Sequence, residues 1–237
     1  MKTILKNRSL LRISGSEAEI FLQNQLSNDI TKLNNSEVQL NAYCQHQGKI
    51  IALIWVMRYE DSFLLSFPLD LAEKVKSRLK MFIIMSDVVI NDISDDFIQL
   101  GLFKENHSNE YLINENLSLL IKGHVEKNSE ITIQNDEWIK ACIDFQIPEV
   151  FLNSSEKFVP QMLNLDINEV GVNFSKGCYP GQEVVARLHY LGEAKRRLFS
   201  FKSDSEMQIG EIYTVHHRKQ QKQGAIVIKE VESLLIE

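Results

Sequence analysis

Ten residues from Ile50 to Tyr59 read Ile-Ile-Ala-Leu-Ile-Trp-Val-Met-Arg-Tyr and leave almost no polar position. A strand with one face in water alternates apolar and polar residues. A run this unbroken, bounded by turns, is a strand covered on both faces. The chain must therefore supply a layer above this strand and another below it. Its neighbours in sequence are ready partners. Val38, Leu40, Ala42 and Cys44 alternate, Gln47-Gly48-Lys49 provides a hairpin turn, and Glu60-Asp61 turns the chain again into Phe63–Phe67. Trp55, inside the run, reads as core.

Helical segments flank this meander. A short strand at Leu10–Ile13 leads to Ser16-x-x-Glu19, a capping-box pattern that opens a helix with Ala18, Phe21, Leu22 and Leu26 on one side. The amides of Phe21–Asp29 fit either a ligand face or the wet side of that helix. Pro68 suits a first helical turn, and Leu71, Val75, Leu79, Phe82 and Ile83 then predict a helix ending near Ser86-Asp87. Strands are expected at Val88–Ile93, Phe97–Phe103, Tyr111–Ile113 and Leu117–Lys122, with polar turns at 104–110 and 128–130. A helix from Asn135 to Phe145 carries Trp138, Ile139, Cys142 and Phe145 inward and stops at Ile147-Pro148. Phe151 to Glu169 has no clear period, as in a functional loop or a wrap across domains. After a helix carrying Val184, Val185, Leu188 and Leu191 and ended by Gly192, short strands are expected at 197–201, 212–215 and 225–228. Helices and hairpins without a βαβ rhythm make the class α+β, with a small antiparallel β-module at the C-terminus.

Composition narrows the functional classes. The 237 residues, with a net charge of −6, have ordinary globular content. No apolar run approaches the ~18 residues of a membrane span, and Met1–Ser9 lacks the apolar core of a secretory signal. The three cysteines, Cys44, Cys142 and Cys178, are scattered without metal spacing, which points to a reducing compartment, the cytoplasm. Phosphate-loop and dinucleotide glycine patterns and GxSxG do not occur. His216-His217 would face opposite sides of a strand, so a metal site has little support. Charge is uneven. From Lys176 to Lys222 there are nine Lys or Arg against five Asp or Glu, a surplus of four in an acidic chain. That stretch is either a solvated face or a contact for an anionic ligand, a polyglutamate tail or a phosphate backbone.

The sharpest chemical feature is Lys176-Gly177-Cys178-Tyr179-Pro180-Gly181-Gln182-Glu183. Tyr179-Pro180-Gly181-Gln182 has type II turn composition, with proline pre-setting the second position and glycine supplying a positive φ at the third. Cys178 would lie just ahead of a helix N-terminus and close to Lys176, two features that favour a thiolate. The spacing equally fits a tight turn whose small cysteine merely packs.

These eight residues resemble the KGCYxGQE signature of the YgfZ family, folate-binding proteins related to the T-protein (aminomethyltransferase) of the glycine cleavage system. Supporting matches run in order along almost the whole chain. Phe21–Ile30 resembles the family's FLQGQLTNDV-like helix, Tyr43–Ile50 its YCDxKGK hairpin, and Val159–Leu165 its IPQxxNL loop. Val184–Arg187 and Ala194–Arg197 resemble the continuation MVAR…NKR. The resemblance implies a T-protein-like cloverleaf of ferredoxin-like α+β modules plus a C-terminal β-barrel around a folate-sized opening. Its modules would be 1–94, a shortened 95–193 holding the signature, and 194–237. It also implies a folate-dependent role, with tetrahydrofolate or a derivative as cofactor, in supporting the assembly or repair of iron–sulfur enzymes, including those that modify tRNA. Cys178 matches the family's functional cysteine and Trp138 an aromatic linked to its folate site. Lys176, Gly177, Tyr179, Gly181, Gln182, Glu183 and Arg187 carry the rest of the implied site.

The chain departs from the family at three places. The stretch 97–135 is too brief for two helices, so the middle module is expected to be trimmed. Asn7-Arg8-Ser9 stands where a second folate-facing aromatic is expected. No carboxylate matches the one that assists aminomethyl transfer in T-proteins. Two alternatives stay open: a folate-dependent one-carbon transferase, and a non-enzymatic adaptor that meets tRNA or a protein through the basic C-terminal segment.

Overall fold

A computed structural model of the chain describes residues 2–103, 110–123, 135–202, 214–217, 220–223, 225–227 and 232–236. The expected strand positions Ile212, Tyr213 and Ile228, the polar turns at 104–109 and 128–130, and Arg218 and Lys219 lie outside them. In chain order the first elements are β1 (Lys2–Ile4), β2 (Arg8–Ser14), α1 (Ala18–Gln25), β3 (Gln39–Cys44), β4 (Ile50–Tyr59), β5 (Ser62–Pro68), α2 (Ala72–Lys80) and β6 (Val89–Asp92). Then come β7 (Phe97–Phe103), β8 (Tyr111–Leu112), β9 (Leu117–Gly123), α3 (Asn135–Asp144), α4 (Gln182–Leu191) and β10 (Leu198–Lys202). The last are β11 (Thr214–His217), β12 (Gln220–Gln223), β13 (Ala225–Val227) and β14 (Glu232–Ile236).

The apolar run occupies β4 over its full ten residues and lies inside a five-stranded antiparallel sheet of order β3-β4-β5-β2-β6. From Ile50 to Met57 every residue is buried. One face meets α1 and α2 through Phe21, Leu22, Leu26, Val75 and Leu79. The other meets a second layer in which Trp55 and Met57 pack with Leu117, Leu119 and Trp138. At ~1.5–3 kcal/mol per fully buried aliphatic side chain, β4 alone contributes gross hydrophobic stabilisation on the order of 10 kcal/mol. That outweighs any single polar contact described below.

That second layer is a four-stranded antiparallel sheet of order β1-β7-β9-β8 with α3 across one face. The N-terminal strand belongs to this sheet, with Lys2 opposite Leu102 and Ile4 opposite Leu100, although the next strand sits in the first sheet. Leu100 and Leu102 face away from α3, and Gly101 faces it. A Cβ at Gly101 would stand 2.4 Å from the Trp138 ring, so the missing side chain is what lets the indole lie on the sheet. Strands β10, β14 and β13 form a three-stranded sheet, and β11 pairs with β12. Two of these strands, β12 and β14, carry too little alternation to have been expected.

Several local readings change. Ser16 does not cap α1. Its hydroxyl donates to the Asp87 carboxylate at 2.7 Å, because the β2–β6 pairing brings Asp87 alongside, and Glu19 instead accepts from Arg58. The helix expected to reach Ser86 ends at Lys80, preceded by a 3-10 turn at Leu69–Leu71. Phe145, expected inward, is exposed just beyond the end of α3. On α4 only Val185 of the expected apolar face is buried, while Val184 and Leu191 are exposed. Among the described residues no helix is long and apolar enough to cross a membrane.

Candidate functional site

The signature forms the turn its composition dictates. Gly181 has φ 84° and ψ 0°, and the Gln182 amide donates to the Tyr179 carbonyl at 3.1 Å, which closes a type II turn directly before α4. The glycine also solves a packing problem. A Cβ there would meet the Gln45 carbonyl oxygen at 2.4 Å and the Gly48 Cα at 2.7 Å. Gly48, itself at φ 72°, belongs to the β3–β4 hairpin turn. Two glycines from distant segments thus touch backbone to backbone and dock the signature onto the hairpin.

Lys176 is a strut. It is only 8% exposed, and its ammonium donates to the carbonyls of Gln23 (2.6 Å), Leu26 and Asn28 (3.0 Å), at and just beyond the end of α1. Burial pulls it down to about 8, opposed in part by the Asp29 carboxylate. Tyr179, 5.3 Å from that ammonium by ring centroid, is buried, and burial raises its phenol above the ordinary value. Between these two buried anchors, Gly177 and Cys178 are exposed. Burial pushes the Cys44 and Cys142 thiols up to about 12, so they are inert and Cys178 is the cysteine that solvent reaches.

The neighbouring loop holds the rest of the signature. Gln161 donates to the Val185 carbonyl at 2.7 Å, and Asn164, in the left-handed region at φ 59°, donates to the Leu198 carbonyl at 2.7 Å. Arg197 binds the Gln161 carbonyl and both oxygens of Asp166. Arg197 and Lys176 are therefore engaged inside the fold. Of the basic residues from Lys176 to Arg197, Arg187, Lys195 and Arg196 are exposed, as is Glu183 in the first turn of α4.

Trp138 belongs to a different region. Its ring lies edge-on to Trp55 (centroids 6.3 Å apart) and to Phe103 (5.6 Å). A cavity of ≈ 140 Å³ is lined there by Asn7, Arg8, Trp55, Trp138, Cys142 and Glu149. A second, of ≈ 360 Å³, is lined by Gln39, Leu40, Trp55, Asn114, Phe145 and Val170, among others. Trp55 borders both, so the residue that read as core is the partition between two chambers. Nothing in the period of the strand separates those two roles. The Arg8 guanidinium lies 3.9 Å over the Trp55 ring, donates to Ser66 and pairs with Glu149. A cation stacked on tryptophan thus stands where a second aromatic was expected. Burial raises the Glu149 carboxyl despite Arg8, and its Oε1 has no partner. In the smaller chamber, two indoles and an unpartnered buried carboxylate oxygen fit a flat, hydrogen-bonding ring system.

Neither cavity is lined by any residue from Lys176 to Arg187. The structure brings Lys176, Tyr179, Gly181 and Gln182 together around Cys178, and it places Trp138 elsewhere. Among the described residues no group of His, Cys, Asp or Glu could hold a metal ion.

The class of the fold follows from comparison with solved structures. The glycine cleavage system aminomethyltransferase T from Bartonella henselae superposes with a TM-score of 0.63 over 99% of this chain and 77% of its own, at 10% identity. The fold is mixed α and β with antiparallel sheets and is similar to that of this aminomethyltransferase. No family model matches the chain. An uncharacterised protein of Haemophilus influenzae is 32% identical over 217 residues, 87% of this chain and 75% of the relative. The tRNA-modifying protein YgfZ of Buchnera aphidicola is 29% identical over 93% of this chain and 79% of its own length, and that of Colwellia psychrerythraea 29% over 83% and 69%. The chain belongs to the YgfZ family.

Proposed function

We propose that this protein binds tetrahydrofolate or a derivative and acts as an accessory factor in the assembly or repair of iron–sulfur enzymes, including those that modify tRNA, with Cys178 as its functional thiol. The observation that carries the reading is the pair of chambers divided by Trp55 and walled by Trp138, in a fold shared with a folate-family enzyme class. Trp55 and Trp138 would flank the ring system, and Glu149 Oε1 would accept from its N–H edge. Lys6, which lines the same smaller chamber, would meet an anionic tail. Bound folate would supply one-carbon or redox chemistry. The chain itself binds and orients the ring and shields it from water. In this reading the cloverleaf is completed by a C-terminal barrel, and its modules follow 1–94, 95–193 and 194–237.

The accessory role is favoured over a one-carbon transferase by the separation of parts. Cys178 faces solvent and lines neither chamber, so a partner protein can reach it without entering the ring site. The test is complementation of a strain deficient in tRNA methylthiolation. Cys178→Ala should fold, retain folate binding and fail to complement. Full rescue by that variant would remove the thiol from the mechanism. Turnover of methylene- or aminomethyl-tetrahydrofolate by the purified protein with glycine-cleavage partners would instead establish the transferase.

A further inference from the structure

A second surface lies at the far end of α4 and is assembled from residues that sequence spacing keeps apart. The His189 imidazole stacks on Phe174, with centroids 3.7 Å apart and planes 15° from parallel. Tyr190 stands edge-on to both, 4.8 Å from His189 and 6.0 Å from Phe174. Tyr190 is 65% exposed and His189 is exposed beside it. Arg187 is three residues before Tyr190, on the same face of the helix, and Lys195 and Arg196 follow the helix end. These three cations are exposed and make no ion pair among the described residues, while Glu183 and Glu193 are the nearby acidic groups.

We propose that Phe174, His189 and Tyr190, with Arg187, Lys195 and Arg196, form a platform for single-stranded RNA. Stacked and open aromatic rings offer π faces that any unpaired base can cover, and the cations lie where the phosphates on either side of that base would run. The exposed Arg187, Lys195 and Arg196 outnumber Glu183 and Glu193 on this surface, in a chain of net charge −6, and so attract a polyanion to it. A protein partner recognised by apolar burial would depend instead on Leu191, which is 83% exposed on the same surface. The helical rise sets Tyr190 about 12 Å from the start of α4, so a strand on the platform runs within a few nucleotides of Cys178. This inference is independent of the folate reading, because none of its residues lines either chamber.

The test is fluorescence anisotropy of the full chain, without folate, against a labelled single-stranded RNA of about twelve nucleotides. Binding should weaken with salt at a log–log slope near −2, from about −0.7 for each of three neutralised phosphates. Tyr190→Ala should weaken binding roughly fivefold or more, and Tyr190→Phe should keep it. Arg187→Gln with Arg196→Gln should flatten the slope by about 1.4. Absence of salt-dependent binding, or equal affinity in Tyr190→Ala and the native chain, would overturn the proposal. Leu191→Ala costing as much as Tyr190→Ala would overturn it too, and would assign the surface to an apolar protein partner.

Discussion

Replacing Gly181 by alanine isolates the contact that fixes the signature loop. The residue sits at φ 84°, where an L side chain costs ~1–2 kcal/mol. The new methyl would also stand 2.4 Å from the Gln45 carbonyl oxygen and 2.8 Å from the Gly48 nitrogen. Both are backbone atoms of a turn closed by the Gly48 amide on the Gln45 carbonyl at 2.9 Å and the Gln45 amide on the Lys49 carbonyl at 2.9 Å. Such atoms cannot swing aside like the end of a long side chain, so the hairpin and α4 must part by close to ~1 Å, an overpacking cost of ~1–3 kcal/mol. Together the two effects reach about 2–5 kcal/mol. In urea denaturation monitored by tryptophan emission, Gly181→Ala should lose at least ~2 kcal/mol and melt roughly 4 °C or more below the native chain. Gly177→Ala is the internal control. Nothing lies within 4 Å of its would-be Cβ, and its effect should stay within ~0.5 kcal/mol. Equal stability of Gly181→Ala and Gly177→Ala would refute the docking of the turn on the hairpin.

Two further substitutions probe the buried charges. Because burial pulls Lys176 to about 8 from an ordinary 10.5, the unfolded chain holds that proton over a window in which the folded chain has released it. Stability should therefore climb as pH rises from 8 toward 10.5, and Lys176→Met should lose that climb in melts across the range. Arg8→Met leaves Glu149 buried without its cation and should cost ~3–5 kcal/mol in chemical denaturation. Adding Glu149→Gln should recover much of it, and no recovery would mean that Arg8 acts through its stack on Trp55 rather than through the pair.

Most of the first sheet was legible because its signals are local. The Ile50–Tyr59 run, the hairpin at Gly48 and the Tyr179–Gln182 turn each depend on neighbouring residues, and each appears where the sequence put it. Readings failed where a distant partner intervened. Ser16 had a capping partner three residues away, but β2–β6 pairing offered it Asp87. Lys176 read as a cation beside a thiol, and only the fold delivers the carbonyls of Gln23, Leu26 and Asn28 to its ammonium. Trp55 is core by every local criterion, and its position between two chambers emerges only when α3 and the second sheet close over it. The pairing of Phe174 with His189 is likewise a product of the turn between them.

The chain's two tryptophans both stand on the chamber walls, so its intrinsic fluorescence reports directly on them. Titration of tetrahydrofolate should give a saturable change in emission, partly retained in Trp138→Phe through Trp55. The absence of any saturable change up to millimolar tetrahydrofolate would contradict the folate site.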